Sequence, residues 1–206
     1  MDGGREPPEL LEWAVATRAL AADPSGDVSL VKSFPQGTLV AVLDGLGHGQ
    51  EAARAAGLAA ATLTAHPDEP VLSLVQRCHA ALLGTRGSVM ALVSFTTRGE
   101  SLTWIGVGDV EAILVRANPQ ARPARERLLS RGGVVGYRLP PLRAATLPVF
   151  AGDTLILATD GIRGGFAEEV SPAGDPPQSL ADRILARFGK HTDDALVLVA
   201  RCLGGA

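Results

Sequence analysis

Four aspartates stand where short apolar runs begin or end. Asp27 precedes VSLVKSF, Asp44 closes TLVAVL, Asp160 follows TLILAT, and Asp193 stands just ahead of ALVLVARC. Aspartate is a poor strand residue and is costly to bury without a partner. One such residue is an ordinary turn aspartate. Four of them, three directly beside glycine, point to strand ends that converge. Like charges brought that close must be neutralised by protons or cations. Hard carboxylate oxygens suit Mg²⁺ or Mn²⁺. The neighbouring glycines serve the same end, because they let the chain turn sharply and bring a backbone carbonyl close to an ion. In Asp44-Gly45 the carboxylate can bridge two ions while the Gly45 carbonyl holds one.

The runs between these aspartates set the order of elements. Residues 11–20 (LEWAVATRAL) read as a strand, and 28–34 and 38–43 as a hairpin around Pro35-Gln36-Gly37. After DGLGHG, the alanine-rich stretch from Gln50 to Ala65 is expected to be helical. A second helix should start after Asp68-Glu69-Pro70 and run to about Leu83, with Val71, Leu74, Val75, Cys78 and Leu82 on one face. Residues 88–97, 101–107 and 111–116 read as a three-strand meander turning at Arg98-Gly99-Glu100 and Gly108-Asp109-Val110. An irregular stretch follows, then a strand at 154–158, a helix at 178–188 and a last strand at 195–202. Arg116 to Arg131 is dense in basic residues but also holds Pro119, Pro123 and Glu126, and reads as a solvated loop. Trp13 and Trp104 read as core residues. Strands in antiparallel groups, with two helices after the third strand, predict a layered α+β sandwich rather than a parallel βαβ sheet.

Composition bounds the function. A chain of 206 residues with 46% hydrophobic and 20% charged side chains is expected to form one compact domain over residues 1–206. A net charge of −3 gives no electrostatic grip on nucleic acid or an anionic membrane. Cys78 and Cys202 form no CxxC pair, so a zinc or redox motif is not indicated and a reduced, cytoplasmic protein is expected. The opening MDGGREPPELLEWAVATRALAA ends in small residues as a signal segment does, but its start is not basic and Glu9, Glu12 and Arg18 interrupt any apolar run. No run is long enough to span a bilayer. His66, His79 and His191 show no ligand spacing. A nucleotide site is disfavoured, because glycines 45, 47 and 49 miss the GxGxxG spacing and no GK[ST] is present.

VAVLDGLGHG, LATDGI and TDDALVLVAR, in this order and behind Ser25-Gly26-Asp27, resemble the motifs of the metal-dependent protein phosphatase 2C-like family, in its bacterial SpoIIE-type branch. The resemblance spans residues 25 to 201. It implies a four-layer αββα sandwich, with antiparallel sheets flanked by helical pairs. It implies a phosphoserine/phosphothreonine phosphatase with two Mn²⁺ or Mg²⁺ ions, in which a metal-activated water attacks phosphorus and no cysteine nucleophile is needed. Asp44 would bridge the ions beside the Gly45 carbonyl, Asp27 would hold one ion mainly through water, and Asp160 and Asp193 would hold the other. Asp194 would support this set, and Asp109 matches an aspartate that some relatives use for a third, weaker ion. Two departures stand out. Leu46 occupies the place where many relatives have histidine, so His48 does not inherit an acid role. No arginine matches the phosphate-binding arginine of eukaryotic relatives: Asp23 stands near that place, and Arg18 is distant from it.

A solitary domain of this length resembles the stand-alone RsbX-like group. That likeness implies phosphorylated STAS-domain proteins of the bacterial stressosome as partners, reset in a feedback role. A non-catalytic phosphatase-like binding module is the alternative, and retention of all four acidic positions weighs against it. A monomer is the default expectation.

Overall fold

The computed structural model describes residues 9–20, 24–96, 100–169 and 175–204. The first eight residues, Asp23 and the Arg98-Gly99 part of the expected turn lie outside that range. The chain runs β1 (Leu11–Arg18), β2 (Asp27–Phe34), β3 (Gly37–Gly45), α1 (Gln50–Ala65), α2 (Val71–Ala81), β4 (Ser88–Thr96), β5 (Ser101–Val107), β6 (Glu111–Val115), β7 (Arg125–Arg127), β8 (Ala145–Pro148), β9 (Thr154–Ala158), α3 (Pro177–Phe188) and β10 (Ala195–Cys202). The strands form two five-stranded sheets, ordered β1-β10-β9-β6-β7 and β2-β3-β4-β5-β8, with every pairing antiparallel.

Period-two alternation builds three apolar layers from these strands. Val40, Val42, Ala91, Val93, Leu114, Leu155, Leu157 and Leu198 fill the space between the sheets. The other faces of β3 and β4 send Leu39, Leu43, Met90 and Leu92 against α1 and α2. The other faces of β6, β9 and β10 send Ile113, Ile156 and Val197 against α3. Ala52, Ala55, Ala56 and Ala59 of α1 are wholly buried, and their short side chains let the helix lie close to β2 and β3. α3 buries Pro177, Leu180, Ala181 and Ile184 against β1 and β10. The result is the expected α+β sandwich of two antiparallel sheets between helices.

The structure corrects five expectations. The meander is broken, because β5 and β6 lie in different sheets. Ala112 and Leu114 face the intersheet layer while Ile113 and Val115 face the α3 layer, so β6 needs cover on both sides and finds it beside β9. The stretch from 117 to 153 is not wholly irregular: β7 and β8 close one edge of each sheet. Arg116 is no solvated residue. It is 7% exposed and donates to Asp153 (2.8 Å), to Glu126 and to the Pro148 carbonyl (2.7 Å). Trp13 is 50% exposed because β1 is an edge strand, whereas Trp104 is buried as expected. Finally, the outer layer over the β1 sheet is α3 with a 3-10 turn at Phe166–Glu169, and not a helical pair among the described residues.

Leu198→Ala removes a fully buried side chain from between the sheets. Urea unfolding is expected to show a loss of about 2–5 kcal/mol. Leu83→Ala, at a position 62% exposed, should stay within about 0.5 kcal/mol.

Candidate active site

The sandwich gathers its acidic residues at one end. Asp27 opens β2 and Asp44 lies near the end of β3, and the antiparallel register sets them directly opposite each other. β9 runs out into Asp160, and Asp193 and Asp194 immediately precede β10, its antiparallel neighbour. Asp109 sits in the crossover between the sheets, after Gly108. Asp44, Asp109, Asp160 and Asp193 all line one cleft of about 740 Å³, together with Leu46, His48 and Val134.

Two glycines allow the backbones to meet this tightly. A Cβ on Gly45 would fall 2.0 Å from the Ala52 carbonyl oxygen in the first turn of α1. A Cβ on Gly161 would fall 1.8 Å from the Asp194 carbonyl oxygen. Asp44-Gly45 and Asp160-Gly161 are therefore contact points where helix against strand, and turn against strand, leave no room for a side chain.

The electrostatics register the convergence. Asp27 is pushed up to about 7, first by burial, against which the Thr159 hydroxyl acts, and further by Asp194, Asp160 and Asp193. Asp44 is pushed up to about 8, by burial and then by Asp27, Asp160, Asp109 and Asp193. Asp160 is also raised, by burial and then by Asp193 and Asp109, while Lys190 and the Gly161 backbone N–H act the other way. Carboxylates that feel one another across five separate chain segments form one field.

Two contributors, Thr159 and Lys190, are not evident from the motifs, and the structure shows how Asp194, expected in support, acts. Thr159 is buried; its hydroxyl donates to Asp27 Oδ2 (2.8 Å) and accepts the Leu196 N–H (3.0 Å), fixing one face of the Asp27 carboxylate. Asp194 accepts the N–H groups of Leu20 (2.8 Å) and Gly26 (3.0 Å), so its carboxylate clamps the segment leading into Asp27. Lys190 is the cation that Asp160 feels, and its N–H donates to the Gly161 carbonyl at 2.7 Å. The hydroxyl next to Asp160 and the paired Asp193-Asp194 were the available signals, but their partners lie far away in sequence.

The donor set fits hard divalent cations. It consists of carboxylate oxygens with a backbone carbonyl at Gly45, whose oxygen lies 3.1 Å from where a Cβ on Gly26 would stand. Glycine ahead of Asp27 keeps that carbonyl uncovered. Among the described residues no three acidic, imidazole or thiol side chains close into a tight cage. Asp44, Asp109, Asp160 and Asp193 line the cleft, and Asp27 stands opposite Asp44 across the strand pair. Cys78 and Cys202 are buried apart from the cleft with thiols pushed up to about 12, which leaves neither as a nucleophile. His48 is exposed at the cleft. Arg18 instead donates to the Lys190 carbonyl.

A carboxyl whose pKa is higher in the folded chain than in the unfolded one keeps its proton longer when folded. Its effect on stability is therefore lost as pH rises through that window, here from 3.8 to about 7 for Asp27 and about 8 for Asp44. In chelator, the melting temperature of the wild type relative to Asp44→Asn is expected to fall steadily as pH rises from about 4 to about 8, and Mg²⁺ or Mn²⁺ at the upper end should restore it. A difference that is flat with pH would contradict this field.

Comparison with known proteins agrees with the geometry. Residues 35–203 match the family model described as Stage II sporulation protein E (SpoIIE). Phosphoserine phosphatase RsbX of Bacillus subtilis (strain 168) is 25% identical over 158 residues, covering 71% of this chain and 76% of that protein. A chain solved in work on the bacterial stressosome, as a modular system adapted to control secondary messenger signalling, is 31% identical with a TM-score of 0.82, covering 94% of this chain and 100% of that one. The crystal structure of RsbX in complex with magnesium shares the fold at a TM-score of 0.83 and 20% identity, over 96% of this chain and 98% of that one. With its two-sheet sandwich and its ring of strand-end aspartates, the chain belongs to the SpoIIE family of PP2C-type protein serine/threonine phosphatases.

Proposed function

We propose that the chain acts as one phosphatase domain that removes phosphate from serine or threonine with two Mn²⁺ or Mg²⁺ ions held by Asp27, Asp44, Asp160, Asp193 and the Gly45 carbonyl. The observation that carries this reading is the convergence of Asp44, Asp109, Asp160 and Asp193 on one cleft, with Asp27 directly opposite Asp44 across the β2–β3 pair. When bound, the ions supply an activated water and positive charge for the phosphoryl oxygens. Asp44, opposite Asp27 and lining the cleft, would hold the ions together with the other carboxylates. Thr159 orients Asp27, and Asp194 fixes the backbone that carries it. Lys190 offsets part of the negative charge at Asp160. Asp109 lines the same cleft and would serve a third ion. Asp194, with both oxygens already accepting backbone N–H groups, supports the set rather than heading it.

The substrate we infer is a phosphorylated STAS-domain protein of a bacterial stress-signalling complex, reset by this enzyme as feedback in the cytoplasm. Support comes from the 31% identical chain studied with the stressosome and from the likeness to RsbX, a phosphoserine phosphatase. Among the described residues no helix is long and apolar enough to cross a membrane.

Purified protein is expected to hydrolyse p-nitrophenyl phosphate when Mn²⁺ is added and to stop when it is chelated. Asp44→Asn should lower kcat by roughly a hundredfold or more. Full activity in that variant, or activity indifferent to chelation, would sink the metal mechanism. Incubation with phosphorylated STAS-domain proteins encoded nearby, followed by mass spectrometry, should show loss of phosphate. Retention of phosphate by all of them would end the stressosome assignment while leaving the phosphatase reading intact.

A further inference from the structure

Beside the acidic cleft the surface changes sign. Between Glu126 and Asp153 the chain has no acidic residue, while Arg131, Arg138 and Arg143 are all exposed. Arg131 and Arg138 bracket Gly132, Gly133 and Val134, which line the cleft. Arg138 exchanges both backbone hydrogen bonds with Val134, each 2.9 Å.

This wall is braced. Val135 and Ser88 exchange two backbone bonds of 2.9 Å, the Gly108 N–H donates to the Arg131 carbonyl at 2.8 Å, and the Gly136 N–H donates to His79 Nδ1 at 2.9 Å. Beside it, the turn at residues 84–87 presents Arg86. Its guanidinium lies against another cleft residue, for a Cβ on Gly47 would fall 2.5 Å from Arg86 Nη1. The Gly87 carbonyl ties the same turn to the Leu46 N–H at 3.1 Å.

Arg77, Arg116, Arg127 and Arg183 are each paired with a carboxylate. Among the described residues Arg86, Arg131 and Arg138 are not. One unpaired surface arginine is ordinary. Three around a single mouth, on a braced backbone and with Tyr137 82% exposed among them, make a surface of the residue types that dominate protein interfaces.

We propose that this wall docks the phosphoprotein substrate by contacting acidic residues that flank the phosphorylated serine or threonine. The proposal rests on the phosphatase reading above and adds the kind of surface it acts on. With the cleft carboxylates holding the ions of that reading, the phosphate would be drawn to the ions and the acidic flank to the arginines beside the cleft. The target is therefore held with its phosphate inward and its flank on the wall. The preorganised backbone lowers the ordering cost of that contact.

The test compares two phosphoserine peptides that differ only in their flanks, Asp and Glu in one and Asn and Gln in the other. At low salt the wild type should favour the acidic-flanked peptide in kcat/KM by about 5- to 10-fold. The preference should shrink towards parity in about 0.5 M NaCl, through screening. It should be lost or inverted in Arg131→Glu/Arg138→Glu. Parity in the wild type at low salt overturns the proposal, as does a preference that survives both salt and charge reversal. So does capture of the protein by phosphatidylserine vesicles with parity between the peptides. The salt series on the wild type decides the matter even if the double variant does not fold. Failure to hydrolyse either peptide or p-nitrophenyl phosphate would remove the phosphatase reading itself and the docking proposal with it, an outcome distinct from parity.

Discussion

Repulsion among half-buried and exposed carboxylates crowded at one end is the constraint around which this sandwich is arranged. Asp27, Asp44 and Asp160 all have proton affinities raised first by burial and then by their acidic neighbours. A packed apolar interior does not pay for such a cluster by itself; one end of the fold is left electrostatically unfinished, ready for cations to complete. The apolar layers supply the rigidity that keeps the like charges from separating further. The backbone contacts at Gly45 and Gly161 bring helix and turn close enough to share one cleft.

The same end also joins the two sheets. Asp27 belongs to β2 in one sheet, while Thr159 and Leu196 belong to the other, so the hydrogen bonds from Leu196 N–H to Thr159 and from Thr159 to Asp27 cross the sandwich. At the opposite end Arg116 does likewise, pairing with Asp153 and Glu126 near one sheet and donating to the Pro148 carbonyl of the other. Apolar packing is non-directional and tolerates sliding, whereas hydrogen bonds do not. One polar fastening at each end fixes the sheets in register and holds the aspartates of both at a constant spacing.

Most strands and all three helices were legible in the sequence because burial writes a pattern. LEWAVATR, TLILA and ALVLVARC announce themselves by β-branched and aliphatic residues, and α2 by its apolar face. The strands RER and ATLP carry no such signal, since they are edge strands held by partners rather than by burial. The move of β6 into the second sheet was illegible because sequence neighbours usually pair, and only the demand for cover on both faces of Ile113 and Leu114 decides otherwise. At the site, the aspartates next to glycine were visible as motifs. Thr159, Lys190 and the clamp by Asp194 were not, because each acts through a partner that the fold alone brings near. Arg116 misled for the same reason: its carboxylates stand at 126 and 153.

β10 occupies an interior place in its sheet, between β1 and β9, and Asp193 and Asp194 stand at its head. Without β10, β1 has no strand to pair with, and the segment before Asp27 loses the Asp194 carboxylate that accepts its N–H groups. A chain cut ahead of Asp193 would therefore lack a central strand and two of the six acidic residues gathered at the site. Sheet and acidic cluster thus share one strand, and loss of that strand would take both together.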